Sequence, residues 1–209
     1  MFSSVRTRSR REASAHGSRD CAMPRDTLDD ALIARIATGD ASAMHVLYTR
    51  HNLRVYRFIL RLTSNHALAE ELVNEVFLDV WRCAGKFEGR SQVSTWLLGI
   101  ARHKALEVLR RHSAEAWDDD ACEAVEDASD NPEATIQKKQ NGAILFNCLT
   151  KLSPAHREVV DLVYYHGKSI DDVAEITGAE PNTVKTRMFY ARKRLAHLLR
   201  AEGILAAAA

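Results

Sequence analysis

Between Asn182 and Arg194 the chain sets Lys185, Arg187, Arg192, Lys193 and Arg194 among Thr186, Phe189 and Tyr190, mixing cations, a hydroxyl and aromatic rings. Ammonium and guanidinium groups pair with phosphate oxygens, polar side chains with base edges, and apolar groups with thymine methyls, so these residue types suit the major groove of DNA. From residue 181 to 200 there are six Lys or Arg and no Asp or Glu, a local charge of +6. The plainer reading of the same residues is a helical hairpin with a solvated cationic face.

The elements around these residues argue for the groove. Val184, Met188, Ala191, Leu195 and Leu198 recur at spacings of four, three, four and three, which predicts a helix with those five on one buried side. The polar set then faces outward. Upstream, Ser169 can cap a short helix through Ile176, with Asp171 and Asp172 where the helix dipole favours negative charge. Gly178 allows a left-handed residue, and Pro181 fits the first turn of the next helix. A helix–turn–helix with a basic second helix is therefore predicted.

A second mixture of rings and cations spans residues 81 to 104, where stacking rings and phosphate-tracking cations would suit single-stranded nucleic acid. A helical core explains Trp81 and Trp96 just as well, and both read mainly as core, whereas the loop from Lys86 to Ser94 has less structural excuse. Periodicity places this loop among helices. Thr27 is the expected cap of a helix carrying Leu28, Ala31, Leu32, Arg35 and Ile36, and Gly39-Asp40 breaks it. Ala43 to Arg61 follows, turning Leu47, Tyr48, Val55, Phe58, Ile59 and Leu62 inward, up to a break at Ser64-Asn65. His66 to Trp81 buries Leu68, Leu72, Val73, Val76, Phe77 and Val80; its other face, with Glu70, Glu71, Asn74, Glu75 and Asp79, is either a solvated acidic surface or a protein-docking one. Thr95 to His112 is the next helix. Toward the C-terminus, Ile136 to Leu152 and Ala155 to Tyr165 are predicted helices separated by a Ser153-Pro154 cap, and Gly167 precedes the helix–turn–helix.

Charge is arranged in blocks. The net +1 of 209 residues conceals +4 over residues 1–25, −9 over residues 113–135 and +6 over residues 181–200. Residues 1–25 read as a disordered basic tail, or a basic arm touching nucleic acid, with Met23 a second candidate start. Residues 113–133 read as a flexible acidic linker, and residues 201–209 as a tail. The expectation is an all-α protein of two small helical domains, 26–112 and 134–200. Cys21, Cys83, Cys122 and Cys148 stand far apart without metal-ligand spacing, so packing is the economical role and redox the sharper one. No apolar run is long enough for a membrane span and no secretion signal is evident, which points to the cytoplasm. No cofactor or metal is expected.

Three stretches, AEELVNEVFLDVW, KFEGRSQVSTWLLGIARHKALEVLRR and LSPAHREVVDLVYYHGKSIDDVAEITGAEPNTVKTRMFYARKRL, resemble bacterial extracytoplasmic-function (group 4) sigma factors of the sigma-70 family. That resemblance covers roughly residues 27–112 and 134–200. It implies a promoter-specificity subunit of RNA polymerase, held in check by an anti-sigma factor. The N-terminal domain would bind the β′ clamp helices through Glu71, Leu72, Asn74, Glu75 and Phe77. It would capture the melted −10 strand with Phe87, Gly89, Arg90, Ser91, Gln92, Ser94, Thr95 and Trp96, and with Arg102 and His103 on the helix beyond. The C-terminal domain would touch the β flap and read the −35 element through Thr183, Lys185, Thr186, Phe189 and Tyr190, with Arg187 and Arg192 near phosphates. Glu71 and Asn74 stand where the common pattern has Asp and Gln, a conservative departure compatible with docking; Arg90 stands where many relatives carry an acid and His103 where they carry Asn, so the −10 base preference does not transfer.

Rival readings belong to other classes. A ligand-sensing DNA-binding regulator would bind promoters without polymerase, and the lack of alternating strand patterns disfavours a receiver domain. A sigma mimic that sequesters an anti-sigma factor would not need the +6 helix. An enzyme is disfavoured by the lack of any metal cluster, phosphate-cradling Gly loop or nucleophile motif.

Overall fold

The computed structural model describes residues 25–112 and 142–203. Residues 1–24 of the basic stretch, the acidic linker and residues 204–209 of the C-terminal tail lie outside the described residues, as do residues 136–141 of the expected helix; Arg25 and Ala201, expected in the tails, belong to helices. Every regular element among the described residues is helical. The N-terminal half has α1 (Arg25–Ala37), α2 (Ala41–Thr63), α3 (His66–Cys83), a short 3-10 turn (Ala84–Lys86) and α4 (Val93–His112). The C-terminal half has α5, helical over the described residues 142–150, then α6 (Pro154–Val160) with a π turn (Asp161–Tyr165), α7 (Ile170–Thr177) and α8 (Pro181–Ala201).

Local chemistry sets the boundaries. Asp40 ends the first break by capping α2, its Oδ1 accepting from the amides of Ser42 and Ala43 at 2.9 and 3.1 Å. Arg35 donates to the other oxygen, Oδ2, at 2.9 and 2.7 Å, and holds the Asp40 carboxyl below the usual carboxylate range. Ser64, left-handed at φ 55°, closes α2, and Asn65 caps α3 by accepting from the Leu68 amide at 3.0 Å. Inside, Leu47, Phe58, Ile59, Leu72, Val76, Leu97 and Leu98 are buried. Each such large side chain contributes roughly 1.5–3 kcal/mol relative to exposure.

Several expected boundaries shift, α2 to Ala41–Thr63 and the end of α3 to Cys83 among them. α1 begins at Arg25, so Thr27 lies within the helix. Its buried face is Asp29, Leu32, Ile33 and Ile36, while Leu28 and Ala31 are exposed. The cause is a buried polar cluster: Asp29 receives Arg50 on one oxygen and stands 2.8 Å from His51 Nε2 on the other, which turns that side of α1 inward. α4 begins at Val93, two residues before Thr95, because the Gln92 carbonyl already accepts from the amides of Thr95 and Trp96 at 2.9 and 3.1 Å.

In the C-terminal half, Ser153 caps α6 by accepting from the His156 amide at 3.4 Å. The helix expected to run unbroken to Tyr165 passes instead into the π turn, where the His166 amide reaches the Asp161 carbonyl at 3.2 Å. Ser169 and Asp172 form a reciprocal capping box at the start of α7: the Asp172 amide donates to Ser169 Oγ at 3.1 Å and the Ser169 amide to Asp172 Oδ2 at 3.0 Å. Gly178 is left-handed at φ 65° and Pro181 opens α8. Val184 on α8 is buried in one core, and Met188, Ala191 and Leu198 in another with Cys148 and Leu152.

The larger core does not stop at the N-terminal half. Val159, Leu162, Val173, Ala174 and Ile176 belong to the same buried cluster as Phe58, Leu97 and Leu98. α7 packs directly on α4. This union of the two halves was not anticipated from the sequence, which lacks any local signal for it.

Candidate nucleic-acid interface

The buried row of α8 fixes what its other side presents. Thr183, Lys185, Thr186, Phe189, Tyr190 and Arg192 are exposed and Arg187 is half-buried. Phe189, 63% exposed, meets Tyr190 edge-on at 5.4 Å between ring centroids. Aromatic rings left this open on a helix whose opposite row is buried present apolar surface for which this fold has no internal use. Arg192 lies 5.8 Å over the Tyr164 ring, so the π turn supports the cationic edge of the helix. Thr186 Oγ1 donates to the Asn182 carbonyl at 2.9 Å, leaving its lone pairs to accept. Together with Ile170 and Lys193, Lys185, Phe189 and Arg192 line an open groove of about 490 Å³. All seven residues expected to face duplex DNA therefore occupy one helix, six of them exposed.

The expected single-strand site is built from the loop after the 3-10 turn and the first turns of α4. Phe87 packs against Trp96 at 4.9 Å, and both are half-buried. Gly89, Arg90 and Gln92 are exposed, Ser91 is half-buried, and Arg90 pairs with Glu88. His103 is exposed and shares with Trp96, Cys83 and Gly99 a cleft of about 430 Å³ between α3 and α4. Three members of the set are covered by the C-terminal half. Ser94 and Thr95 are buried and Arg102 is half-buried.

What covers them is polar and specific. Lys168, only 5% exposed, donates to Ser94 Oγ at 2.6 Å, Thr95 Oγ1 at 2.8 Å and Gln92 Oε1 at 3.2 Å. Thr95 Oγ1 in turn donates to Asp172 Oδ1 at 3.0 Å. Arg102 donates through Nε and Nη2 to the two oxygens of Glu158 at 2.6 and 3.4 Å. Arg61 pairs with Asp161 and lies 3.9 Å over the Tyr165 ring. Phe58 meets the buried His166 edge-on at 5.4 Å. Burial pushes the Asp172 carboxyl up, but the Ser169 hydroxyl and amide, the Thr95 hydroxyl and the Lys168 ammonium outweigh it and hold the group below its ordinary range. Lys168, Glu158 and Asp161 were not singled out from the sequence, because a buried charge reveals itself only through its partners.

On α3 the acidic face is real and partly apolar. Glu71 and Asn74 are exposed and Glu75 is half-buried. Leu72 and Phe77, also expected to touch polymerase, are 1% and 3% exposed and belong to the core. Their spacing puts them on the inward stripe with Val73 and Val76. Leu78 and Trp81 point outward instead, and Trp81 at 40% exposure is not the core residue the sequence suggested. Lys104 reaches from α4 to Asp79 at 2.9 Å and Glu75 at 3.1 Å. Burial works against its charge, yet the two carboxylates raise its pKa above the ordinary lysine value. Among the described residues no group of His, Cys, Asp or Glu could hold a metal ion, and no helix is long and apolar enough to cross a membrane.

Comparison with known proteins agrees with this geometry. The sigma-70 region 2 family matches residues 47–115 and the sigma-70 region 4 family matches residues 143–195. The chain is 32% identical over 168 residues to the RNA polymerase sigma factor CarQ of Myxococcus xanthus, covering 79% of this chain and 94% of that one. It is 29% identical over 173 residues to the ECF RNA polymerase sigma factor SigK of Mycobacterium tuberculosis, covering 81% and 92%. Among solved structures, the sigma factor RpoE of Bartonella quintana, in complex with the anti-sigma factor NepR, superposes with a TM-score of 0.61 at 25% identity, covering 75% of this chain and 96% of that one. With a region 2 helical domain, a region 4 helix–turn–helix and relatives matched along nearly their whole length, this chain belongs to the extracytoplasmic-function sigma factors, the subunits that give bacterial RNA polymerase its promoter specificity.

Proposed function

We propose that α8 reads the −35 element and that the loop and first turns of α4 capture the unpaired −10 strand, while the outer face of α3 docks on the polymerase core. The observation that carries this reading is the outward row Thr183, Lys185, Thr186, Phe189, Tyr190 and Arg192 on the second helix of a helix–turn–helix. Lys185 and Thr186 hydrogen-bond base edges, Phe189 and Tyr190 meet thymine methyls, and Arg187 and Arg192 sit against phosphates. Phe87, Trp96 and His103 provide ring surfaces for flipped bases, with Gly89, Arg90, Ser91 and Gln92 shaping the loop around them. Glu71, Asn74 and Glu75, with Leu78 and Trp81 beside them, form the docking face.

The protein performs no covalent chemistry in this reading. Polymerase catalyses, and sigma holds bases whose extrusion costs a few kcal/mol in lost stacking and pairing. Because the Bartonella quintana sigma factor was solved with an anti-sigma factor, we assign this chain the same kind of control and a place beside RNA polymerase inside the cell. Run-off transcription with core polymerase on promoter fragments from the source genome tests the reading. Defined start sites that require the protein are expected; DNA binding without any initiation would overturn it.

A further inference from the structure

We propose that Lys104 is a further residue of the −10 site, pinned to the docking face of α3 in the free chain and handed to a phosphate of the unpaired strand when the polymerase core takes up the carboxylates that pin it. The proposal rests on the assignment of α3 to the core and of the first turns of α4 to the strand. Its basis is where the charges stand. Lys104 lines the same cleft of about 430 Å³ as Trp96 and His103, the rings offered to flipped bases. Its ammonium is engaged on α3 instead, 2.9 Å from Asp79 Oδ2 and 3.1 Å from Glu75 Oε2, with 16% of the side chain exposed. Of the carboxylates that line the cleft, Glu107 is neutralised by Arg111 one turn on, which leaves Asp79 and Lys104 to set the charge of the wall. As a pair they offer a phosphate no net attraction.

The pinning carboxylates continue the docking face. Glu71, Glu75 and Asp79 follow one another at intervals of four on α3, a line of like charges that a helix carries at a small cost. Lys104 relieves two of the three from α4. A partner surface that meets this line must present cations to it, and Glu75, with 46% of its side chain exposed, is open to them. Asp79 has a substitute at hand, since Arg82 stands 3.5 Å away on the next turn. Docking therefore competes for both acceptors of Lys104. The lysine needs no backbone movement to change partners, because its ammonium is a point charge with three rotatable donors on a flexible four-carbon stem.

The first arm of the test uses the full chain without polymerase, a labelled random-sequence single strand of about 15 nucleotides, and an excess of unlabelled random-sequence duplex to occupy α8. Glu75→Gln combined with Asp79→Asn stands in for docking. This double variant should tighten single-strand binding roughly fivefold and steepen its salt dependence by about 0.7, the increment of one added phosphate contact. Adding Lys104→Met should abolish both gains, and adding Lys104→Arg should keep them; Lys104→Gln replaces the methionine variant if that protein loses its helices by circular dichroism. Gains that survive the loss of the ammonium would come from the missing carboxylates alone and would overturn the proposal, as would the absence of any gain in the double variant.

The second arm adds core polymerase. In the free chain Lys104→Met should leave single-strand binding essentially unchanged. In the holoenzyme, with the binding of core alone subtracted, it should weaken that binding roughly fivefold, while affinity for core stays the same or rises. An equal effect with and without core would sink the hand-over. Trp96→Ala separates this proposal from the reading beneath it. If Trp96→Ala lowers single-strand binding and the Lys104 variants change nothing, the cleft holds the strand without Lys104; if Trp96→Ala changes nothing either, the assignment of the cleft falls with it.

Discussion

Lys185 and Arg192 are both exposed on α8, about two helical turns apart, yet their chemistry separates their roles. A side chain that reads a base edge discriminates at one position, whereas one that touches phosphate weakens all sequences alike. Lys185→Ala is expected to cost about 1–3 kcal/mol at a single −35 position, and Arg192→Ala to lower affinity uniformly and reduce the salt dependence of binding. Binding titrations against every single-base variant of a mapped −35 element check both. Far from DNA, His51 makes a stability prediction. Burial lowers its pKa below that of free imidazole, although the neighbouring Asp29 works to raise it. The unfolded chain then takes up the proton first, so stability from this group is complete above about pH 6.5 and is lost as the pH falls below it. Urea midpoints should drop between about pH 7.5 and 5.5, and drop less in His51→Gln.

At the scale of the element, the turn between α7 and α8 determines how the reading helix is presented. Gly178 sits at φ 65°, and a Cβ built there meets no other atom within 4 Å. The cost of Gly178→Ala is therefore all backbone, about 1–2 kcal/mol for a left-handed L-residue, and denaturant unfolding measures it. Ser169→Ala should cost about 1 kcal/mol by removing the cap. The second variant should also speed exchange at the start of α4, because Ser169 positions the same Asp172 that receives Thr95. The first should leave α4 exchange comparatively unchanged.

For the whole molecule, one buried cluster runs from α1 through α4 into α6, α7 and the start of α8. A continuous core couples the stability of what it joins, so heat should unfold both regions in a single transition, with the calorimetric and van't Hoff enthalpies in agreement. Two separated transitions in the wild type would show that the regions melt independently. The contact between the two halves places charged partners from sequence-distant elements together, Arg61 with Asp161 and Arg102 with Glu158, where neither helix alone would bury them.

Local grammar determined much of this protein. The caps at Ser153 and Ser169, the left-handed Gly178, Pro181 at the head of α8 and the stripe Val184, Met188, Ala191 follow from short-range chemistry, so they were legible, and with them the outward face of the recognition helix. Resemblance in three stretches supplied the family and the order of its domains. What the tertiary structure decided involves pairs distant in sequence. Asp29 rotates α1 because His51 and Arg50 lie opposite it; Leu72 and Phe77 are withdrawn into the core while Leu78 and Trp81 emerge; Lys168 disappears beneath Ser94 and Thr95. Periodicity reports which side of a helix is apolar, but whether a charge or ring at its margin meets water or another helix depends on the partner that arrives, and no local pattern carries that information.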